Sequence, residues 1–293
     1  MEILNPMPPY NFAGIENPNY NASKVVIFPI PYDSATSYNS GARNGPHAII
    51  NASRNLEFYN EELDCDIQKE VGIYTADELM PNINSPLENI NNIKKEIKLV
   101  LEDSKIPFII GGDHSVALGA IKALKEHLKE KFSILHFDAH SDSRDEFMGS
   151  KYSHASVMAR TRELSDNCYS VGVRSIDDIS IKKYKDILFM KDIHKLDTSE
   201  IVKKILANLK YNQIYITFDF DVLDPSEVPS TGTPEPDGLH YYQLKEILKK
   251  VLEKRMLVGA DFVEFAPIPG FSAPDFLAAK LIYTTIGYAF CKK

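Results

Sequence analysis

The stretch F-S-I-L-H-F-D-A-H-S-D-S-R-D, residues 132–145, decides the fold class and points to a functional site. Its first half is a largely apolar run, which is typical of a strand buried on both faces of a parallel sheet. Its second half places Asp138, His140 and Asp142 at alternate positions. Alternate side chains of an extended chain point to the same side, so these three are expected to converge just beyond the strand.

Two other strand-like stretches end in the same kinds of residue. T-F-D-F-D-V-L-D-P, residues 217–225, runs into Asp219 and Asp221, again at alternate positions. G-G-D-H-S, residues 111–115, turns through two glycines, whose permissive backbone geometry lets His114 reach over the edge of a sheet. Because ligands of open α/β sheets bind beyond the carboxyl ends of the strands, we expect the three stretches to build one site.

Short apolar runs alternate with longer amphipathic stretches along most of the chain. This order predicts an α/β protein with right-handed crossovers, a three-layer α/β/α fold with a mainly parallel sheet of about eight strands. Residues 1–293 are interpreted as a single domain with an irregular N-terminal arm over residues 1–23. The expected strands are Lys24–Ile30, Val71–Thr75, Pro107–Gly111, Phe132–Asp138, Asn167–Val173, Ile187–Met190, Gln213–Asp219 and Met256–Phe262. The helical segments expected between them include Leu87–Glu102, Ser115–Lys131, Thr198–Leu209, Tyr241–Lys254 and Pro274–Phe290.

Composition excludes several classes of protein. The net charge of −8 argues against nucleic acid as a partner and is compatible with a cationic substrate. No apolar run is long enough to cross a membrane, and the first residues lack the pattern of a signal peptide. The three cysteines form no CxxC pair, which favours a reducing compartment. We therefore expect a cytoplasmic protein with neither a nucleic-acid nor a membrane partner.

The clustered acids predict bound cations. Four carboxylates at one sheet edge repel one another strongly unless positive charge neutralises them, and two divalent ions would balance all four. Carboxylate and imidazole ligands without thiolate favour Mn²⁺ over a structural zinc site. Two such ions can share a water and lower its pKa towards neutrality, which indicates a hydrolase. The expected metal ligands are His114, Asp138, His140, Asp142, Asp219 and Asp221.

Other polar residues near the three stretches have simpler interpretations. A single acid after a strand is usually a turn former or a helix cap. Asp224, which precedes Pro225, is interpreted as such a turn residue, as is Asp113, although Asp113 could alternatively orient a metal ligand. His136 lies deeper on its strand and is interpreted as a hydrogen-bonded core histidine.

With these motifs in hand, the chain resembles the ureohydrolases, the arginase and agmatinase family, and is most similar to its agmatinase members. The resemblance runs from S-Y-N-S-G-A-R-N-G-P (residues 37–46) through the metal motifs to S-T-G-T-P-E-P (residues 230–236) and the last strand and helix. It implies an arginase-like fold, two Mn²⁺ per subunit, and a homo-oligomer, commonly a trimer or hexamer. It further implies that Asp138 and Asp219 bridge the two ions. One ion would be completed by His114 and Asp142, and the other by His140 and Asp221.

The same resemblance implies roles for further residues. Glu264, in D-F-V-E-F-A-P, matches the family glutamate that holds the substrate guanidinium, a planar group that a carboxylate fits with paired hydrogen bonds. His154, in Y-S-H-A-S, matches a proton-relaying histidine, although here Ala155 follows where many relatives carry glycine or serine. The implied reaction is attack of a metal-bridging hydroxide on the guanidinium carbon. Asp142 and His154 would then protonate the departing amine.

The identity of the guanidino substrate rests on fewer residues. Arg144 stands where arginases carry the asparagine that holds the carboxylate of arginine, so that contact is absent. The next residue, Asp145, could attract the distal ammonium of agmatine, whereas Arg144 could bind the carboxylate of guanidinobutyrate. Thr231 and Thr233 are expected to shape the pocket wall, although their segment could equally be a plain Gly/Pro-punctuated connector. Agmatine, cleaved to putrescine and urea in polyamine biosynthesis, is the predicted substrate.

Three alternatives remain open at this point. The first is another ureohydrolase: a guanidinobutyrase, an aminopropylagmatine ureohydrolase or an arginase. The second is a deacylase or phosphoesterase on a related fold, which would leave Glu264 without a role. The third is a catalytically inactive metal-binding regulatory subunit. The presence of all six expected ligands argues against it, because such proteins typically lose a ligand.

Overall fold

A computed structural model describes residues 9–34, 37–82 and 85–291. Its centre is an eight-stranded sheet in which every neighbouring pair of strands is parallel. The expected α/β class and parallel sheet are confirmed. The strands of this sheet are β1 (Val25–Ile30), β4 (Ile73–Thr75), β5 (Ile106–Gly111), β6 (Ser133–Phe137), β7 (Cys168–Val173), β8 (Ile187–Phe189), β9 (Gln213–Asp219) and β10 (Met256–Val263). Their order across the sheet is β4-β1-β5-β10-β9-β6-β7-β8.

Helices cover both faces of the sheet. Alternate residues of β1 show the arrangement: Val25 and Ile27 pack into one hydrophobic cluster, and Val26 and Phe28 into the other. The strands are therefore buried on both sides, which explains their continuous apolar sequence. The helices are α1 (Gly45–Ser53), α2 (Ile67–Val71), α3 (Pro86–Glu102), α4 (Ala117–His127), α5 (Val157–Leu164), α6 (Asp178–Lys183), α7 (Met190–Ile193), α8 (Thr198–Asn208), α9 (Tyr241–Leu252) and α10 (Ala273–Phe290).

The long helix α3 follows directly from local sequence. The side chain of Ser85 accepts a hydrogen bond from the backbone N–H of Glu88, and Pro86 occupies the first turn, where its missing N–H costs nothing. Ile90, Ile93 and Ile97 recur at helical spacing and are buried against the sheet.

The order of the central strands positions the site. The four strands β5, β10, β9 and β6 lie side by side in the middle of the sheet, although long stretches of sequence separate them. Because all four are parallel, the residues that follow them meet at one edge. His114, Glu264, Asp221 and the acids after β6 therefore approach one another.

Several local expectations were wrong. Helix α4 ends at His127 rather than Lys131, because the next residue, Leu128, adopts an extended conformation. Among the described residues, five short helices (α1, α2, α5, α6 and α7) were not named from the sequence, nor was an antiparallel hairpin of β2 (Tyr59–Asn60) and β3 (Cys65–Asp66). The hairpin lies near the end of α10, where the free thiols of Cys65 and Cys291 are 2.7 Å apart. These elements are too short to produce a periodic pattern, so longer-range packing decides them.

The structure describes only part of the expected N-terminal arm. Residues 1–8 of the expected arm lie outside the described residues. Further on, a single 3₁₀ turn at Phe12–Gly14 buries Phe12 and Ala13 against the core. The side chain of Asn11 supports this turn, because it accepts a hydrogen bond from the N–H of Ile15 at 2.7 Å.

We expect Gly119→Ala to lower the free energy of unfolding by about 1–3 kcal/mol, the usual cost of overpacking a core. A methyl group at Gly119 would lie 2.5 Å from Cβ of Ile93, where α4 crosses α3. Urea denaturation measures the change. The exposed Lys125→Ala on the same helix is the control and should stay within about 0.5 kcal/mol of the parent. Equal stability of the two variants would show that α3 can move away at no cost.

Candidate active site

The turn after β5 brings a histidine over the sheet edge. Gly112 permits this turn because any side chain there would collide with the backbone carbonyl of Tyr32, 1.9 Å from the position of a Cβ. Asp113 then accepts hydrogen bonds from the backbone N–H groups of Ser34 and Ser115 at 3.0 and 3.1 Å. Asp113 thus acts as a turn and cap residue that fixes the backbone beside His114.

The ring of His114 is fully buried and faces three carboxylates. Its Nδ1 lies 3.3 Å from Asp138, 3.2 Å from Asp142 and 3.4 Å from Asp219. This nitrogen has no hydrogen-bond partner, whereas Nε2 on the opposite side of the ring is 2.8 Å from the hydroxyl of Thr217. The ring is therefore held from behind, with an unpartnered buried nitrogen directed at acidic oxygens.

A second, adjoining group surrounds His140. Its Nδ1 lies 2.8 Å from Asp221 and 3.7 Å from Asp138, so Asp138 belongs to both groups. Its Nε2 is 3.6 Å from Glu235. The side chain of His140 is 24% exposed, whereas that of His114 is fully buried, so the second group is the one that faces the solvent.

The six expected ligands therefore come together, although not by the route predicted from alternation. Asp142 has a φ of 44°, in the left-handed region, so the chain after β6 does not stay extended. Asp142 nevertheless reaches the cluster, because the turn redirects it. The backbone carbonyl of Asp142 accepts a hydrogen bond from the N–H of Met158 at 2.8 Å, which ties this turn to the start of α5.

His136 lies beneath the cluster. Its Nε2 is 2.8 Å from Asp138, and its Nδ1 is 2.9 Å from the hydroxyl of Ser170 on the neighbouring strand. His136, His114 and Asp138 also form one of two geometric groupings able to hold a cation among the described residues, the other being Asp138, His140 and Asp221. Because both nitrogens of His136 already have partners, we assign it to orienting Asp138.

Crowding of buried charges changes the titration of the cluster. Burial raises the pKa of Asp219 well above its usual value, and the charges of Asp221 and Asp138 raise it further. Burial lowers the pKa of His114, but the carboxylates around it outweigh that effect and hold the pKa well above its usual value. Both shifts have one cause, which is that the buried carboxylates of the cluster lie close together with little positive charge between them.

These residues fit divalent cations. An unpartnered buried imidazole nitrogen, four converging carboxylates and a second imidazole are the donors expected for such ions, and no cysteine contributes. Both imidazole and carboxylate bind metals in their deprotonated forms, so cation binding would release any protons that these groups carry.

Glu264 lies beside this cluster, immediately after β10. Its φ of 62° turns the chain away from the strand, and its backbone N–H donates to the carbonyl of Gly112 at 2.7 Å. One carboxylate oxygen accepts a hydrogen bond from the backbone N–H of His114 at 2.8 Å. Burial raises the pKa of Glu264 well above its usual value, and the nearby charge of Asp113 adds to the effect. A cationic partner would stabilise the ionised form of this carboxylate.

A cavity of about 400 Å³ opens in front of the cluster. Of the substrate residues expected from sequence, Arg144, Thr233 and Glu264 line it, as does His154, whose Nε2 is 2.9 Å from the hydroxyl of Ser37. Ser37 belongs to the motif at residues 37–46 but was not singled out from the sequence.

Two other expected substrate residues do not line the cavity. Asp145 is largely exposed and forms ion pairs with Arg160 and, at 4.0 Å, with Lys151. Thr231 is buried and pairs with Phe265 behind the cavity wall. The structure therefore separates both residues from the pocket that they were expected to shape.

Several wall residues were missed by sequence reasoning. Asp177 and Glu235 both line the cavity. Glu235 lies within the S-T-G-T-P-E-P motif, so its position was a usable signal. Asp177 carried no such signal, because an acid before a helix is most simply interpreted as its cap. Its side chain does cap α6, where it accepts hydrogen bonds from the N–H groups of Ile179 and Ser180.

A model of the arginase family matches residues 23–287. The chain belongs to the arginase family. The N(1)-aminopropylagmatine ureohydrolase of Thermus thermophilus is 38% identical over 275 residues, which cover 94% of this chain and 93% of that protein. The agmatinase of Halalkalibacterium halodurans is 33% identical, covering 85% of this chain and 86% of that protein. The crystal structure of agmatine ureohydrolase from Thermoplasma volcanium aligns with a TM-score of 0.87 at 29% identity, covering 97% of this chain and 95% of that chain.

These relationships confirm the resemblance seen in the motifs. The protein is a metal-dependent ureohydrolase of the agmatinase branch, and it acts on linear amidines. The two His/Asp groups are consistent with the binuclear metal centre of the family. Among the helices of the described residues, none combines the length and the apolar character needed to span a bilayer.

Proposed function

We propose that this ureohydrolase cleaves agmatine to putrescine and urea. The observation that carries the proposal is the partly buried carboxylate of Glu264, which lines the same cavity as the acidic cluster. A guanidinium paired with this carboxylate would place its carbon towards the cluster, so binding and orientation come from one contact.

In the proposed site, His114, Asp138, Asp142 and Asp219 would hold one ion, and His140, Asp138, Asp219 and Asp221 would hold the other. Two divalent cations would supply Lewis-acid activation of a shared water at neutral pH. Mn²⁺ is the proposed metal, because the ligands are carboxylates and imidazoles only.

The remaining chemistry belongs to the side chains. The departing amine needs a proton, because an amide anion cannot leave unaided. Asp142 lies in the cluster and lines the cavity, and His154 lines the same cavity with its Nε2 on the hydroxyl of Ser37. We assign proton delivery to these two residues.

Charge in the cavity wall supports a cationic substrate. Beyond Glu264, the described residues of the wall include the carboxylates of Asp177 and Glu235 and the guanidinium of Arg144. Burial raises the pKa of Asp177, but hydrogen bonds from Ser180 and the charge of Arg144 outweigh it and lower the pKa below its usual value. With two carboxylates beside one guanidinium, an ammonium tail suits this wall better than a carboxylate.

Aminopropylagmatine is the second candidate substrate. The N(1)-aminopropylagmatine ureohydrolase of Thermus thermophilus has a higher identity to this chain, 38%, than the agmatinase of Halalkalibacterium halodurans, 33%. Aminopropylagmatine has a longer tail than agmatine and carries additional positive charge, which the acidic cavity wall would also bind. Both candidates share the guanidinium contact and differ only in the far end of the substrate.

Urea release by the Mn²⁺-loaded protein distinguishes these substrates. We expect kcat/KM for agmatine to exceed that for guanidinobutyrate, guanidinopropionate and arginine by at least about tenfold, equivalent to about 1.4 kcal/mol. Aminopropylagmatine is assayed beside them, and a higher kcat/KM for it would replace agmatine with the longer substrate. A preference for guanidino acids would overturn the cationic assignment. No urea from any compound at full metal occupancy would instead indicate an inactive metal-binding subunit.

A further inference from the structure

Arg174 follows β7, and its guanidinium lies between two loops at the edge of the active site. Its Nη2 donates hydrogen bonds to the backbone carbonyls of Asp221 at 2.7 Å and Glu235 at 2.9 Å, and Nε donates to that of Pro236 at 2.9 Å. Longer contacts of 3.1–3.4 Å reach the carbonyls of Gly172, Val222 and Leu223. One side chain thus binds six backbone oxygens.

Five of these carbonyls belong to two segments outside the strands and α-helices, and the sixth, that of Gly172, belongs to β7. The first segment, residues 221–223, leaves β9 and carries Asp221 into the acidic cluster. The second, residues 231–239, is attached at its ends by bridges between Thr231 and Phe265 and between Leu223 and Leu239. Arg174 holds the second segment between those ends, at residues 235 and 236.

The two segments meet at His140. Nδ1 of this histidine is 2.8 Å from the carboxylate of Asp221, and Nε2 is 3.6 Å from that of Glu235. The backbone of both acids is bound by the same nitrogen of Arg174. A shift of this guanidinium would therefore move an acid of the metal cluster and an acid of the substrate cavity together.

We propose that Arg174 is a positioning residue that sets Asp221 and Glu235 on either side of His140, so that one guanidinium couples cation affinity to the shape of the substrate cavity. The cavity part of this inference rests on the proposed function. A lysine cannot replace this arginine, because an ammonium is a point charge that lacks the planar fork of five donors.

The chain offers a matched control in Arg255. Its guanidinium also donates to backbone carbonyls, those of Leu206 and Leu209 at 2.9 and 3.2 Å, but it precedes β10 and so lies at the opposite end of the sheet from the site. Arg255→Lys removes a comparable backbone contact without approaching the cluster.

The test compares Arg174→Lys with Arg255→Lys. Calorimetric titration of the metal-free proteins with Mn²⁺ alone should show one of two sites weakened about tenfold or more in Arg174→Lys. Arg255→Lys should bind Mn²⁺ like the parent, even if its Tm falls by as much as that of Arg174→Lys. With agmatine, Arg174→Lys should raise KM more than it lowers kcat. Equal Mn²⁺ affinities and equal KM in both variants would overturn the proposal.

A measurement on the parent protein covers the case in which Arg174→Lys does not fold. Loading with Mn²⁺ should slow amide hydrogen exchange in residues 231–239 as well as in residues 221–223, because Arg174 joins the two segments. Protection confined to residues 221–223 would overturn the coupling. Both the titration and the exchange experiment omit substrate, so they remain decisive even if no guanidino compound releases urea.

Discussion

Asp219→Asn is expected to lower kcat for urea release by about a thousandfold or more, because several kcal/mol of cation-dependent stabilisation are lost. One oxygen of Asp219 lies 3.4 Å from Nδ1 of His114, and the other accepts a hydrogen bond from the backbone N–H of Asp221 at 2.8 Å. Asparagine keeps the size of the side chain but removes a negative charge and one of the two acceptor oxygens. The proposed bridge between two cations needs both.

The experiment combines kcat at saturating Mn²⁺ with the metal content of the purified variant. Asp197→Asn is the control, because Asp197 caps α8 on the surface and asparagine caps helices equally well. It should retain both the activity and the metal content of the parent. An Asp219→Asn variant with two bound ions and undiminished kcat would contradict the bridging role.

Glu264→Gln is expected to raise KM for the guanidino substrate by about tenfold to a hundredfold, with a smaller effect on kcat. A hydrogen bond to a charged group contributes about 1.5–3 kcal/mol, and this contact pairs a carboxylate with a guanidinium. The amide oxygen of glutamine can still accept the hydrogen bond from the backbone N–H of His114, so the local backbone should keep its position. The loss should therefore fall on substrate binding.

Steady-state kinetics separates this effect from damage to the metal cluster when Mn²⁺ content is measured on the same samples. Glu227→Gln is a suitable control. Glu227 likewise accepts a hydrogen bond from a backbone N–H, that of Tyr241 at 2.7 Å, but it lies outside the cavity lining. Unchanged KM in Glu264→Gln would remove Glu264 from guanidinium binding and with it the observation that carries the proposed function.

Asp142 shows where sequence reasoning reached the correct cluster by an incomplete argument. Alternation along an extended chain explains Asp138 and His140, but Asp142 has a left-handed φ of 44°. Its place in the cluster depends on a turn stabilised by α5, which begins at Val157. Local spacing predicts side-chain direction only while the strand conformation persists.

The local sequence did not indicate which side chains face the cavity. Asp145 follows Arg144 directly, yet Arg144 lines the cavity and Asp145 pairs with Arg160 on the surface. Arg174 had no motif to mark it, because five of the six carbonyls that it binds come from segments that meet it only in the folded chain.

The sequence by itself determined the alternation of strands and helices, because burial on both faces of a parallel sheet imposes continuous apolar strands and amphipathic helices. It also determined the chemistry of the acidic cluster, since four carboxylates and two imidazoles demand cations wherever they meet. Only the tertiary structure decided that β5, β10, β9 and β6 stand side by side, which acids face the cavity, and which arginine holds its wall. The physical reason is that periodicity and residue chemistry are local, whereas strand order and loop direction depend on contacts between residues far apart in the chain.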